Sequence, residues 1–286
     1  MEKLPKVIVT ILNFNGKDTI KACLDSVNRS DYANLEMIVV DNASKDGSFE
    51  LAKQFFSKAA FILNESNLGY ARGNNIAIRY ALERMADYVL LLNNDALVET
   101  DTISKLVAAA EKDGKIGILS PVIYREDGKV WFSGGKINWF RMKAIHENKA
   151  VSDKPYETEF LSGCAIFIRK EVFKEIGLLD ENYFLYYEDA DFCVRARKKG
   201  FKTSIMPQAR AKHFEKSQGN LENKTYWLVL SGLIFFKKNA PAILRPWINL
   251  YLFLRKIKNW REVKFKKNDL AKTVQKAYRD YKKLNI

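Results

Sequence analysis

The stretch V-L-L-L-N-N-D-A-L-V, residues 89–98, sets three short polar side chains between two apolar runs. Asn and Asp in that place make a turn, because their side chains hydrogen-bond the neighbouring backbone. They also suit a cation. Asp95 offers a carboxylate, with Asn93 two positions before it, and a hard divalent ion takes oxygen ligands, commonly one or two carboxylates completed by substrate phosphates. A second cluster, Y-Y-E-D-A-D at 186–191, crowds Glu188, Asp189 and Asp191 together. The helix macrodipole favours acids at a helix start and accounts for one or two of them. The aromatic run N-Y-F-L-Y-Y directly before predicts a partly desolvated site. Desolvation and mutual repulsion raise a carboxylate's proton affinity, as a general base requires. His213, one of two histidines, follows the strand pattern F-K-T-S-I-M, and an imidazole there is either structural or a ligand for metal or phosphate. Arg72, in N-L-G-Y-A-R-G-N-N, stands at a helix start beside glycines, where backbone N–H groups and a cation favour phosphate. The plain alternative is a solvated arginine.

Chemistry of this kind needs a scaffold, and the first hundred residues supply one. K-V-I-V-T-I-L, L-E-M-I-V-V-D, A-F-I-L-N and D-Y-V-L-L-L-N-N-D read as strands. Between them lie helical patterns at K-D-T-I-K-A-C-L-D-S-V-N-R-S, G-S-F-E-L-A-K-Q-F-F-S-K-A and Y-A-R-G-N-N-I-A-I-R-Y-A-L-E-R-M. Strands alternating with helices of this length predict an α/β fold, a parallel sheet with helices on both faces. Ligands in such folds bind beyond the carboxyl ends of the strands. Asn13, Asn15, Asp41, Asn42, Asn93, Asn94 and Asp95 all fall there, along one rim. Farther on, residues 134–157 predict loops and a hairpin. C-A-I-F-I-R reads as a strand, K-E-V-F-K-E-I-G and E-D-A-D-F-C-V-R-A-R-K-K-G as helices closed by glycine, and F-K-T-S-I-M as a strand.

The chain has 286 residues, 47% hydrophobic and 29% charged, which indicates a folded protein and not a disordered one. Cys23, Cys164 and Cys193 are too few and too scattered for a disulfide framework and fit a reducing compartment. No secretory signal is read before the first strand, and no run reaches the ~18 apolar residues of a membrane span. The net charge of +14 is uneven: from Arg195 onward there are 24 Lys/Arg against 5 Asp/Glu. The basic character belongs to the C-terminal third, where aromatic and aliphatic clusters alternate with lysines and arginines. Two or three amphipathic helices are expected there, either packed on the main domain or resting on an anionic lipid surface.

V-I-V-T-I-L-N-F-N-G, M-I-V-V-D-N-A-S-K-D-G-S, N-L-G-Y-A-R-G-N-N, L-L-L-N-N-D-A-L-V and the segment from S-G-C-A-I-F-I-R to Y-Y-E-D-A-D-F-C-V-R together resemble the ordered motifs of family 2 glycosyltransferases, more narrowly the rhamnosyltransferase-like branch. The resemblance spans roughly residues 5–220. It implies a GT-A-like domain over 1–220, with 221–286 as a helical basic C-terminal extension. It implies inverting transfer from a nucleoside-diphosphate sugar to an acceptor hydroxyl, aided by Mg²⁺ or Mn²⁺. On the matching positions, Asp41 reads the nucleotide base, with Thr10, Leu12, Asn13, Asn42, Arg72, Asn93, Asn94 and Gly163 lining the nucleotide-sugar site. Asp95 and His213 serve the metal, and Asp189 is the catalytic base with Glu188 beside it. Asn93 departs from the acidic D-x-D pattern, because an amide oxygen coordinates without charge.

Thymidine-diphosphate rhamnose or a uridine-diphosphate hexose is the expected donor. A cell-surface glycan or lipid-linked saccharide is the expected acceptor, met at the cytoplasmic face of the membrane. A glycoside hydrolase also uses paired carboxylates but needs no nucleotide-binding sheet. A dinucleotide oxidoreductase would show G-x-G-x-x-G after the first strand, and none is there. The remaining rival is a non-catalytic protein that binds a polyanion or membrane through the basic tail.

Overall fold

The computed structural model describes residues 4–149, 152–214, 221–266 and 268–284. Its parallel half is built on β1 (Val7–Asn13), buried at all but one position. After it come α1 (Ile20–Asn28), β2 (Leu35–Asp41), α2 (Ser48–Phe55), β3 (Ala60–Leu63), α3 (Gly69–Glu83) and β4 (Tyr88–Asn93). β1 pairs in parallel with β2 and β4, and β2 with β3. Strands covered by helices on both faces need apolar residues at consecutive positions, and V-I-V-T-I-L and Y-V-L-L-L supply them. Leu12 lies beside Asn93 and Asn13 beside Asp41. The carboxyl ends of three strands are therefore level, and the Asn/Asp residues do share one rim.

The second half widens the same sheet. β5 (Ala96–Val98), α4 (Thr102–Lys112), β6 (Ile116–Tyr124), β7 (Val130–Phe132), β8 (Gly135–Asn138), β9 (Lys143–His146) and β10 (Tyr156–Glu157) precede β11 (Ala165–Arg169). α5 (Lys170–Ile176), α6 (Glu188–Lys198) and β12 (Lys202–His213) follow. The strand order is β10-β12-β6-β11-β4-β1-β2-β3, with β5 added on β12 and β7 on β6. β11 runs antiparallel to both β4 and β6, so its start, and the S-G-C just before it, meets the rim formed by the ends of the parallel strands. β8 and β9 form the expected hairpin.

One expectation needs correction: His213 does not follow its strand but ends it. β12 runs on from F-K-T-S-I-M through a register shift between Met206 and Arg210, around Pro207, and pairs again with β6 and β5. Proline cannot donate to the ladder, so the strand bulges there and resumes.

The basic extension forms α7 (Leu221–Asn239), α8 (Arg245–Lys266) and α9 (Asp269–Tyr281). The expected boundary at residue 220 lies outside the described residues. In space α7 belongs with the body. Its Phe235 and Phe236 are fully buried, with ring centroids 5.8 and 5.6 Å from Trp139. The Ser231 hydroxyl donates to the Leu185 carbonyl at 2.8 Å, and Lys238 pairs with Asp180 at 2.6 Å. α9 packs on α7 and α8; the Asn259 amide of α8 donates to the Ala271 carbonyl at 2.9 Å. Among the described residues, no helix is long and apolar enough to cross a membrane.

Truncating a fully buried phenylalanine removes its transfer free energy and leaves a cavity, at about 3–5 kcal/mol. Phe236→Ala is expected to lower the stability measured by chemical denaturation by that amount, and so to show that α7 is part of the folding unit.

Candidate active site

The polar stop after β4 is a two-residue turn, Asn94–Asp95, that leads into β5. β5 pairs antiparallel with the end of β12, with Ala96 opposite His213. The Phe214 amide donates to the Asp95 carbonyl at 2.9 Å. That pairing brings His213 Nε2 to 3.2 Å from Asp95 Oδ1. The contact lacks hydrogen-bond alignment, and among the described residues Asp95 Oδ1 and His213 Nδ1 are buried atoms with no hydrogen-bond partner. Buried polar atoms are nearly always paired, so an open carboxylate oxygen and an open imidazole nitrogen on two side chains in contact fit a cation. No group of three or more His, Cys, Asp or Glu residues able to hold a metal occurs among the described residues. Asp95 and His213 thus offer a two-ligand site, of the sort completed by phosphate oxygens and water.

These residues line one wall of a cavity of about 700 Å³ together with Asn93 and Asn94. Glu188, Asp189 and Gly163 line it as well, with Tyr70, Trp131, His146, Tyr186 and Lys224 among the other residues. Asp189, in the first turn of α6, is held at both oxygens. Oδ2 accepts from the Gly163 amide at 2.8 Å and Oδ1 from the Ala190 amide at 2.7 Å. Burial raises its proton affinity, and the two N–H donors pull against that rise. Glu188 is buried, and its Oε2 has no hydrogen-bond partner among the described residues. Burial, with the Asp189 charge next to it, pushes the Glu188 carboxyl well above the usual range. Burial and then Glu188 and Asp189 raise Tyr70 too, so its phenol stays protonated and donates to the Gly163 carbonyl at 2.6 Å.

The third acid of the cluster has a different task. Asp191 is fully buried and holds Arg195 at 2.7 Å, Asn239 at 2.8 Å and Lys238 at 3.1 Å. It joins α6 to α7. The cavity therefore receives two carboxylates from E-D-A-D, because the third is taken up by Arg195, Lys238 and Asn239.

The structure brings Asn93, Asn94, Asp95, Gly163, Glu188, Asp189 and His213 to one cavity. The other expected residues do not line it. Asn13 sits one hydrogen bond behind, accepting from the Asn94 amide at 2.7 Å and donating to Asp41 at 2.6 Å. Asp41 is fully buried, and its carboxylate also accepts from the Ser44 amide and hydroxyl at 2.7 and 2.8 Å. Thr10 is buried within β1. Leu12 is half-buried and faces Gly73. The Asn42 side chain ties the loop before α3, donating to the Gly69 carbonyl at 3.1 Å. The Arg72 side chain is 57% exposed and 3.6 Å from Glu181. Sequence reasoning passed over Tyr70, which stands two residues before Arg72. A tyrosine directly after Gly69, a residue with φ of +79°, was the available signal. Trp131, His146 and Lys224 carried none: nothing local marks them as cavity residues, although His146 falls in the expected hairpin region and Lys224 in the expected tail helices.

The glycosyl transferase family 2 model matches residues 7–177. The chain belongs to glycosyl transferase family 2. It is 29% identical over 202 residues to the low-salt glycan biosynthesis hexosyltransferase of Haloferax volcanii, a match covering 68% of this chain and 63% of that protein. It is 26% identical over 236 residues to the N-acetylglucosaminyl-diphospho-decaprenol L-rhamnosyltransferase of Mycobacterium tuberculosis, over 73% of this chain and 75% of the relative. The family 2 fold is of the GT-A type: the crystal structure of GalNAc-T7 with UDP, GalNAc and Mn²⁺ superposes with a TM-score of 0.63 at 20% identity, covering 88% of this chain and 55% of that one. The chain thus spans less than two thirds of both the Haloferax relative and GalNAc-T7.

Because folding raises the proton affinity of Glu188, its contribution to stability is complete below the ordinary glutamate range. It is lost as pH rises through the folded-state value. As pH rises above the ordinary glutamate range, wild-type thermal stability is expected to fall more than that of Glu188→Gln, which cannot ionise. Parallel pH profiles of the two proteins would contradict this assignment.

Proposed function

We propose that this chain transfers a sugar from a nucleoside-diphosphate sugar to an acceptor hydroxyl, with inversion at the anomeric carbon. The observation that carries the reading is the cavity itself, which presents the Asp95–His213 pair and the doubly held Asp189 to one space. Asp189 takes the proton of the acceptor hydroxyl as that oxygen attacks the anomeric carbon. The bond to the diphosphate breaks, and its electron pair leaves with the phosphate oxygen. A single displacement inverts the centre. The Gly163 and Ala190 amides keep the Asp189 carboxylate in one position, so no reorientation is needed when the acceptor arrives. A protonated Glu188 leaves Asp189 as the charged partner of the pair. Asp95 and His213 would hold a bound Mg²⁺ or Mn²⁺, which supplies charge neutralisation for the departing diphosphate. Asn93, Asn94 and Gly163 line the cavity, and on this reading Asp41 meets the nucleotide base, with Thr10, Leu12, Asn13 and Asn42 around it and Arg72 serving the diphosphate.

The donor we favour is thymidine-diphosphate rhamnose, with uridine-diphosphate hexoses next. The names of the mycobacterial rhamnosyltransferase and the Haloferax hexosyltransferase support rhamnose and hexose as the sugar classes. A lipid-linked saccharide is the favoured acceptor, met at the cytoplasmic face of the membrane through the basic extension. A purely non-catalytic role would leave the open atoms of Asp95, Glu188 and His213 unexplained.

Titration calorimetry with thymidine, uridine and guanosine diphosphates tests the donor site, and metal-dependent binding of one of them is expected. Folded protein that binds none would refute the reading. Asp189→Asn is expected to bind donor as wild type does and to lose about 10²–10⁴ in transfer rate. Asp95→Ala is expected to lose the metal dependence of nucleotide binding itself.

A further inference from the structure

The three helices of the extension expose their apolar residues very differently. α7 turns its phenylalanines into the core, and α9 buries Ala271, Ala277 and Tyr278. α8 buries only Ile248 and Asn259. Trp247, Leu250, Phe253, Leu254, Ile257 and Trp260 are each 41–59% exposed. Positions 247, 250, 254 and 257 follow the three-and-four spacing that lines up one face of a helix, and 253 and 260 flank it. Exposed apolar area this contiguous on a folded chain marks an interaction surface.

What covers this face is decided by its charge. α8 carries seven Lys/Arg and one acid, Glu262. Lys258, Arg261 and Lys264 are exposed and fall on the same side as the apolar stripe in its C-terminal half. A second copy of the chain, packed symmetrically on this face, would bring together two helices that each carry seven Lys/Arg against one acid, which opposes association. An anionic bilayer surface complements both features: apolar side chains enter the headgroup boundary while lysines and arginines meet lipid phosphates. Tryptophan at both ends suits that depth. The helix is about 33 Å long, and with its charge it lies on a membrane and does not span one.

We propose that α8 docks this protein on an anionic lipid bilayer through the face formed by Trp247, Leu250, Leu254 and Ile257. The placement rests on the reading above of a lipid-linked acceptor and gives it a geometry. The Trp247 indole donates to the Phe140 carbonyl at 3.0 Å. Phe140, itself 60% exposed, lies in the turn of the β8–β9 hairpin, and His146 at the other end of β9 lines the cavity. A four-residue strand spans about 14 Å. Docking on α8 therefore sets the cavity one short hairpin away from the lipid surface.

The test uses the full chain and vesicles of phosphatidylcholine alone or mixed with phosphatidylglycerol. Wild type is expected to co-sediment with the mixed vesicles, less so as salt rises, and not with phosphatidylcholine alone. Leu250→Ser, Leu254→Ser and Ile257→Ser combined are expected to weaken binding roughly tenfold or more, with circular dichroism and nucleotide binding unchanged. Lys258→Glu, Arg261→Glu and Lys264→Glu combined should remove the binding seen at low salt. Three outcomes overturn the proposal: no binding to mixed vesicles at low salt, equal binding by the triple serine variant, or a wild-type dimer in light scattering that this variant abolishes, which would make a second copy the occupant. Vesicle binding without nucleotide binding would leave the docking standing and remove the glycosyl-transfer reading. Nucleotide binding without vesicle binding would do the reverse.

Discussion

The S-G-C segment before β11 is where the cavity is tied together. The Cys164 carbonyl accepts the Asn93 amide at the end of β4, the Gly163 carbonyl accepts the Tyr70 hydroxyl of α3, and the Gly163 amide donates to Asp189 of α6. Three elements from distant parts of the chain are thus fixed by the backbone of two adjacent residues. A side chain at 163 would stand 2.7 Å from the Tyr70 oxygen, so the backbone reaches this place only as glycine. The antiparallel direction of β11 is what brings the segment to the rim at all.

Around that junction the molecule keeps two acids where water would normally be needed. Tyr186 and Tyr187 both have φ of 69°, a conformation that bulky residues rarely adopt. The turn they make aims the first residues of α6 at the cavity. Packing from outside holds it. The Tyr187 ring lies 5.2 Å from Phe235 of α7, and Asp191 binds α6 to Arg195, Lys238 and Asn239. A side chain at Gly232 of α7 would meet the Tyr187 ring at 3.3 Å. Part of the basic extension is therefore a support for the acidic site, by contact and by charge. α8 beyond it gives the core little and presents a surface.

The parallel half of the sheet was legible because doubly covered strands write themselves as continuous apolar runs, and Asn13, Asp41 and Asn93 could be placed on one rim from that pattern alone. α4 and β6 were not read, although I-G-I-L-S-P-V-I-Y is almost wholly buried. Ser120 and Pro121 interrupt the run as loop residues do, and only pairing with β11 and β12 makes them strand. The short strands β5, β7 and β10 are invisible in the sequence because two or three residues carry no period, and the partners of β5 and β10 lie far along the chain.

By itself, then, the order of residues determined the alternation of strand and helix, the family motifs and the kinds of side chain at the rim, because each depends on neighbours a few positions away. The tertiary structure decided which of them meet. It separated Asp191 from Glu188 and Asp189 by pairing it with Arg195, Lys238 and Asn239, turned Arg72 toward Glu181 and away from the cavity, and set His213 against Asp95 through a strand pairing across more than a hundred residues. It also sorted the basic tail into a buried helix and an exposed one. Those outcomes depend on burial and on long-range pairing, which exist only once the chain has closed on itself.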